Sequence, residues 1–177
     1  MRTWSFPEVV EVYTGEGKGK TTAALGLALR ATGHGWNVLM IQFMKGSPEY
    51  GEITAAKGVK GLTLVQTGLP TFVEKGNPSA DDLAEAARGL KLAQEALGSG
   101  QYRLIVLDEM NVAVDYGLVK LDDALALIDT CPDDVELVFT GRGAKRAVVE
   151  RADLVSEVHE VKHPYQKGFV NRVGIDY

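Results

Sequence analysis

The sequence predicts an α/β fold: a mostly parallel sheet with helices on both faces. Three observations carry this. Short apolar segments rich in β-branched residues recur at 9–13, 37–43, 62–66, 104–107, 135–140 and 154–159. Stretches with helical spacing separate them, the alternation expected of a parallel sheet. The apolar runs at 38–41 and 104–107 show no polar alternation, which suits strands buried on both faces. A length of 177 residues fits a single domain, 1–177, with a sizeable core.

The elements follow in order. The strand at 9–13 runs into Thr14-Gly15-Glu16-Gly17-Lys18-Gly19-Lys20-Thr21, and the alanine-rich stretch 21–30 then reads as helix. A helix is expected over 79–97, opened by Ser79 with Asp82 three residues on. Its apolar face is read as Leu83, Ala86, Ala87, Leu90, Ala93 and Leu97, and Gly98-Ser99-Gly100 ends it. Further helices are expected over 121–130 and 144–152. Trp36, Leu90 and Leu125 are read as core. Two stretches resist the pattern. Residues 68–78 hold Gly68, Pro70, Gly76 and Pro78 with a lone aromatic, Phe72, and the tail 161–177 includes His163-Pro164-Tyr165 and Gly168-Phe169. Long irregular segments in compact domains are either functional or ordinary surface connections.

The strand–glycine loop–helix junction is a phosphate-binding loop. Gly15, Gly17 and Gly19 let the backbone turn tightly with its N–H groups inward. These groups and the positive end of the helix make a nest for anionic oxygens. Lys20 adds a point charge to the phosphates, and the Thr21 hydroxyl is suited to Mg²⁺. Thr14 stands where the general motif has glycine. A second signal is Arg103-Leu104-Ile105-Val106-Leu107-Asp108-Glu109, an apolar strand ending in two carboxylates. In phosphate-loop proteins an acid at such a strand end faces the loop's Mg²⁺. Asp108 is placed for that role, directly or through water. Glu109 either assists it or activates water in a hydrolase. A third segment, Thr140-Gly141-Arg142-Gly143, follows the strand at 135–140, so Arg142 either reaches the nucleotide or is exposed in a turn. Lys45-Gly46-Ser47 has the same standing.

Composition narrows the partners. The formal net charge is −5, with no run of five basic residues, so neither a nucleic-acid surface nor an anionic-membrane surface is expected. No apolar stretch approaches membrane-spanning length, and residues 1–7 have no apolar segment of the kind a secretory leader carries. The single cysteine, Cys131, fits a reducing cytoplasm and reads as a structural thiol. His34 ends a helix, where a cation is favoured, and His159 and His163 have no companions at zinc spacing. Residue chemistry alone thus stops at a nucleotide-binding α/β domain with Mg²⁺. An ATPase, a small-molecule kinase and a non-catalytic nucleotide sensor all remain open.

Taken together, several segments resemble one family. They are Thr14 to Ala24, Gln42-Phe43-Met44-Lys45-Gly46, Val106-Leu107-Asp108-Glu109, Thr140-Gly141-Arg142-Gly143, Val161-Lys162-His163 and Gly174-Ile175-Asp176-Tyr177. The chain resembles the ATP:corrinoid adenosyltransferases of the cob(I)yrinic acid a,c-diamide type over nearly its whole length, and threonine at the first loop position is a feature of that family. The resemblance implies a P-loop NTPase-like (RecA-like) fold. It implies that Co(I) of a reduced corrinoid attacks the 5′-carbon of ATP and expels triphosphate, with the nucleotide in an atypical polarity. By this resemblance Thr14, Gly15, Glu16, Gly17, Lys18, Gly19, Lys20, Thr21, Thr22 and Arg142 contact ATP. Thr21, Asp108 and Glu109 face Mg²⁺, and Phe72 is the candidate for an apolar wall under the corrinoid. It also implies a homodimer and an electron-donating reductase or flavoprotein. The chain departs from the family pattern in two places. Only about seven residues precede the first strand, where family members commonly carry an arm. Residues 68–74 hold Phe72 without the Phe-x-Trp pair that some members have.

Overall fold

The computed structural model describes residues 9–169 and 172–177. The reading of residues 1–7 as lacking a leader, and positions 170–171 of the tail, lie outside the described residues. Six strands form one parallel sheet: β1 (Val10–Thr14), β2 (Val38–Phe43), β3 (Leu62–Thr67), β4 (Leu104–Asp108), β5 (Glu136–Thr140) and β6 (Leu154–Glu157). Their order is β3-β2-β4-β5-β1-β6, so β5 separates the phosphate-loop strand from the strand ending in Asp108. The helices are α1 (Lys20–Gly33), α2 (Gly51–Ala56), α3 (Ala80–Gly98), α4 (Met110–Asp115), α5 (Leu121–Asp129) and α6 (Arg146–Arg151), and Pro164–Lys167 forms a 3-10 turn.

Strand periodicity divides the core in two, because alternate residues face opposite sides of the sheet. Val38, Met40, Leu104, Val106 and Val138 meet Ala24, Ala28 and Ala31 of α1. Three small side chains let that helix lie close on the sheet. Leu39, Ile41, Phe43, Ile105, Leu107, Leu137 and Phe139 face the other way, toward α3, α4, α5 and α6. The β2 and β4 runs are buried throughout, as the absence of alternation implied. Trp36, Leu90 and Leu125 are partly buried against these two clusters.

The expected start of α3 is present as a capping box: Ser79 Oγ accepts from the Asp82 N–H, and the Asp82 carboxylate accepts from the Ser79 N–H. Its buried face differs from the expectation. Ala86, Gly89, Ala93, Ala96 and Leu97 are buried, whereas Leu83 and Ala87 are exposed. The helix is aimed by Gly89, where a Cβ would lie 2.5 Å from Thr67 Oγ1 and 2.8 Å from the Phe43 ring. The face turns about that close approach, and Leu83 falls outside it. Helices α2 and α4 were not expected; each has six residues, too few to display a helical period. The last strand is also shorter than expected. It stops at Glu157, and the next residues leave the sheet to pack on the phosphate loop, where Gly17 N–H donates to Val158 O at 2.7 Å.

Candidate active site

All strands being parallel, their carboxyl ends share one edge of the sheet, where open α/β folds bind ligands. The α1-facing rows change character there. Val38 and Met40 lead to Gln42, Leu104 and Val106 lead to Asp108, and Val138 leads to Thr140. Gln42, Asp108 and Thr140 are fully buried, and Gln42 pairs in register with Asp108. The first turn of α1 ends against this polar band and carries Lys20 and Thr21 into it.

Asp108 is the hub. Its Oδ1 accepts from Thr21 Oγ1 at 2.9 Å and from Thr140 Oγ1 at 2.6 Å. Its Oδ2 accepts from Gln42 Nε2 at 3.2 Å and from Lys45 Nζ at 2.9 Å. Both carboxylate oxygens are therefore satisfied, as a buried charge requires. Thr140 Oγ1 also accepts the Glu109 N–H at 3.0 Å, and Gln42 Nε2 donates to Glu52 Oε1 of α2 at 3.0 Å.

The phosphate loop starts one residue later than the general motif. Thr14 is the last residue of β1, so it needs no glycine; the chain turns at Gly15, with φ +93°. A Cβ on Gly15 would lie 2.5 Å from Val158 O, and one on Gly17 2.8 Å from the same atom. Glycine at both positions lets the segment after β6 brace the loop. Lys20 is buried, and its Nζ donates to Gly15 O at 2.8 Å and Gly17 O at 2.7 Å. Burial, reinforced by the Arg142 guanidinium, pulls its pKa below the ordinary lysine value. Gly19, at φ +124°, precedes α1, whose first turn has no acidic residue to repel an anion.

The remaining expected residues take different places. Arg142 reaches the loop's rim, where its Nε lies 3.4 Å from Glu16 Oε2, with both side chains largely exposed. Lys18 points to the C-terminal segment, 2.9 Å from Asp176 Oδ1. Thr14 Oγ1 accepts from the Ala144 N–H at 3.4 Å, and Thr22 is exposed. Glu109 directly precedes α4 in the left-handed conformation, φ +61°, with no side-chain bond to the helix end, a costly geometry for a non-glycine residue and one frequent at functional sites. Burial, then the adjacent Asp108 carboxylate, pushes its pKa above the ordinary glutamate value.

Phe72 is fully exposed, while its neighbour Val73 packs against the core. The loop that carries it is fastened at both ends. At its root a Cβ on Gly46 would lie 2.3 Å from Gly68 O, and one on Gly68 2.5 Å from Lys45 N, so two backbones interlock. Further on, Lys75 pairs with Asp115, which also pairs with Lys145 just beyond Arg142. The last residue also comes near α2: a Cβ on Gly51 would be 3.9 Å from the Tyr177 carbonyl. Cys131 is half-buried and donates to Val135 O at 3.3 Å. Burial and nearby carboxylates push its pKa up to about 11, so it stays a thiol.

Gln42, Thr140 and Glu52 were assigned no role from the sequence, and Lys45 was placed only near the nucleotide. A signal was present for two of them: Gln42 and Thr140 are polar residues that follow apolar runs near the carboxyl ends of β2 and β5.

Comparison with known proteins is consistent with this geometry. A corrinoid adenosyltransferase of Pseudomonas aeruginosa is 34% identical over 169 residues, covering 96% of this chain and 83% of the relative. One from Escherichia coli is 36% identical over 171 residues, with 96% and 85% covered. The corrinoid adenosyltransferase CobA of Salmonella typhimurium is 37% identical over 174 residues, with the same coverage. Among solved structures, a KaiC-like protein from Pyrococcus horikoshii aligns with TM-score 0.58 and 13% identity over 89% of this chain and 76% of that one. That likeness concerns the fold. The family model described as ATP:corrinoid adenosyltransferase BtuR/CobO/CobP matches residues 7–177, and the chain belongs to that family.

Proposed function

We propose that this chain, acting as one unit over 1–177, transfers the 5′-deoxyadenosyl group of ATP to the Co(I) of a corrinoid. Triphosphate is released, in adenosylcobalamin biosynthesis or salvage. The observation that supports this best is the convergence of Thr21, Gln42, Lys45 and Thr140 on Asp108 beside the phosphate loop, in a chain matched from residue 7 to its end by the adenosyltransferase model. Transfer of the γ-phosphate, as in an ATPase or kinase, is not favoured by that match.

In the displacement the cobalt's electron pair forms the carbon–cobalt bond. The 5′-carbon–oxygen bond breaks, and its electrons leave on triphosphate. Negative charge therefore grows on the leaving group. The loop N–H groups, the N-terminus of α1 and the Lys20 ammonium are fixed before reaction, so they stabilise that charge without reorganising. Lys20 exchanges its hold on the Gly15 and Gly17 carbonyls for phosphate oxygens. Arg142 adds charge from the rim. No water has to be deprotonated, so Glu109 need not act as a base. The ribose lies toward the corrinoid, which puts the nucleotide in the loop with an atypical polarity.

Among the described residues no group of three or more His, Cys, Asp or Glu could hold a metal. The donor set fits Mg²⁺ arriving with ATP, since that ion is commonly held by one or two protein oxygens and completed by phosphates and water. Thr21 and Asp108 would hold it, with Glu109 beside them, and it would supply charge neutralisation for the triphosphate. Phe72, exposed on a fastened loop, is assigned to the corrinoid's lower face. The homodimer and the reductase or flavoprotein that delivers electrons follow from the family resemblance. A cytoplasmic location fits the lone thiol, and among the described residues no helix is long and apolar enough to cross a membrane. The test is an absorbance assay for adenosylcorrinoid formation from ATP and chemically reduced corrinoid. Formation at catalytic rates supports the proposal, and ATP turnover without alkylation of cobalt overturns it.

A further inference from the structure

Lys45 is built into the site more firmly than a surface lysine would be. Its predecessor Met44 takes the left-handed conformation, φ +58°, at an energetic cost for a non-glycine residue. Its successor Gly46 is wedged against Gly68 and Leu69, where a Cβ would lie 2.3 Å from Gly68 O. The chain is thus forced to turn at the end of β2, and the turn sends the Lys45 side chain back over the strand ends. Its Nζ stops 2.9 Å from Asp108 Oδ2, 3.9 Å from Glu52 Oε1 and 5.5 Å from the centroid of the Tyr50 ring. Only 15% of the side chain is exposed. Burial by itself would lower the ammonium's pKa, but Asp108, with Glu109 and Glu52 adding to it, holds it above the ordinary lysine value.

Thr21, Thr140 and Gln42 bring neutral donors to Asp108, while Lys45 brings a full charge to a carboxylate with no exposure. A buried anion without a counter-charge is strongly destabilising. A divalent ion at the same carboxylate would face the ammonium at close range, and two cations in a low-dielectric site repel. We propose that Lys45 is the resident counter-cation of Asp108, competing with the divalent ion and holding down metal affinity until ATP brings its own negative charge. Metal then enters with the nucleotide and not ahead of it. This rests on the reading of Asp108 as the metal-facing carboxylate.

The test is Mn²⁺ binding without nucleotide, read by the electron paramagnetic resonance signal of free Mn²⁺, for the wild type, Lys45→Met and Lys45→Arg. Lys45→Met should bind Mn²⁺ roughly tenfold or more tightly than the wild type, within the usual range for coupled ligands. Lys45→Arg, which keeps the charge, should stay near wild type. In chelator Lys45→Met should melt below wild type, and Mn²⁺ should raise its Tm by more than it raises the wild-type Tm. Mn²⁺ affinity within twofold of wild type in Lys45→Met would overturn the proposal alone. Should Lys45→Met fail to fold in chelator, the double variant Lys45→Met/Asp108→Asn decides: recovered folding supports the pairing, and no recovery overturns it. Separately, wild-type Mn²⁺ binding with ATP that survives Asp108→Asn unchanged would remove the metal reading, and this proposal with it.

Discussion

Replacing Thr140 by valine probes the hub of the site with almost no change of shape. The Thr140 hydroxyl is fully buried and makes two bonds, donating to Asp108 Oδ1 at 2.6 Å and accepting the Glu109 N–H at 3.0 Å. Valine removes both. A hydrogen bond to a charged group is worth about 1.5–3 kcal/mol net, and a buried N–H left unpaired costs about 1–3 kcal/mol. These overlap, so the expected loss is about 2–5 kcal/mol. For a chain of this size that lowers Tm by roughly 5–15 °C. Thr140→Ser keeps the hydroxyl and should recover most of the loss. The assay is equilibrium urea unfolding of the three proteins, with m-values compared to confirm that unfolding exposes the same surface. A loss under about 1 kcal/mol in Thr140→Val would mean that Asp108 is not held by this hydroxyl, and the picture of a preorganised carboxylate would have to be given up.

Four further outcomes are expected. Lys20→Ala should lower turnover by about two to three orders of magnitude, the scale of losing one preorganised charge-stabilising donor; wild-type turnover in steady-state assays would rule out the loop assignment. Asp108→Asn should reduce activity more than Glu109→Gln does, since no proton is taken from water, and equal near-complete losses would contradict that division. Glu109 also carries a pH signature: its raised pKa means that the stabilisation from its protonated form is complete below the ordinary glutamate value of about 4.3. That stabilisation is lost as pH rises through the raised value, so Glu109→Gln should lose less stability across this window than wild type in denaturant titrations at stepped pH. Phe72→Ala should slow the reaction sharply with Co(II) corrinoid and a mild reductant, and much less with chemically prepared Co(I); similar losses in both assays would show that Phe72 only packs.

The central strands were legible because burial on both faces leaves uninterrupted apolar runs, as in Leu104 to Leu107. The phosphate loop was legible because glycine spacing, lysine and threonine together serve few other purposes. The short helices were not. Helix α4 starts directly after Asp108 from a left-handed Glu109, with no capping residue to announce it. The partners of Asp108 were hidden for a different reason. Gln42 and Thr140 reach it only because β2 and β5 flank β4, and sheet order is a property of the whole fold, not of any segment. Their parity was readable: each lies an even number of residues beyond α1-facing positions, Met40 and Val138. Lys45 needed the backbone reversal at Met44 and the Gly46–Gly68 interlock, which no local pattern encodes. Lys18 lies on the loop, but its partner Asp176 is at the other end of the chain.

In the proposed reaction, bond breaking occurs at carbon and leaves the phosphate chain whole. Phosphorus NMR of a completed reaction with ATP and Co(I) corrinoid tests it most directly. The expected result is one intact triphosphate for each adenosyl group bound to cobalt. ADP and inorganic phosphate as the stoichiometric products would contradict it.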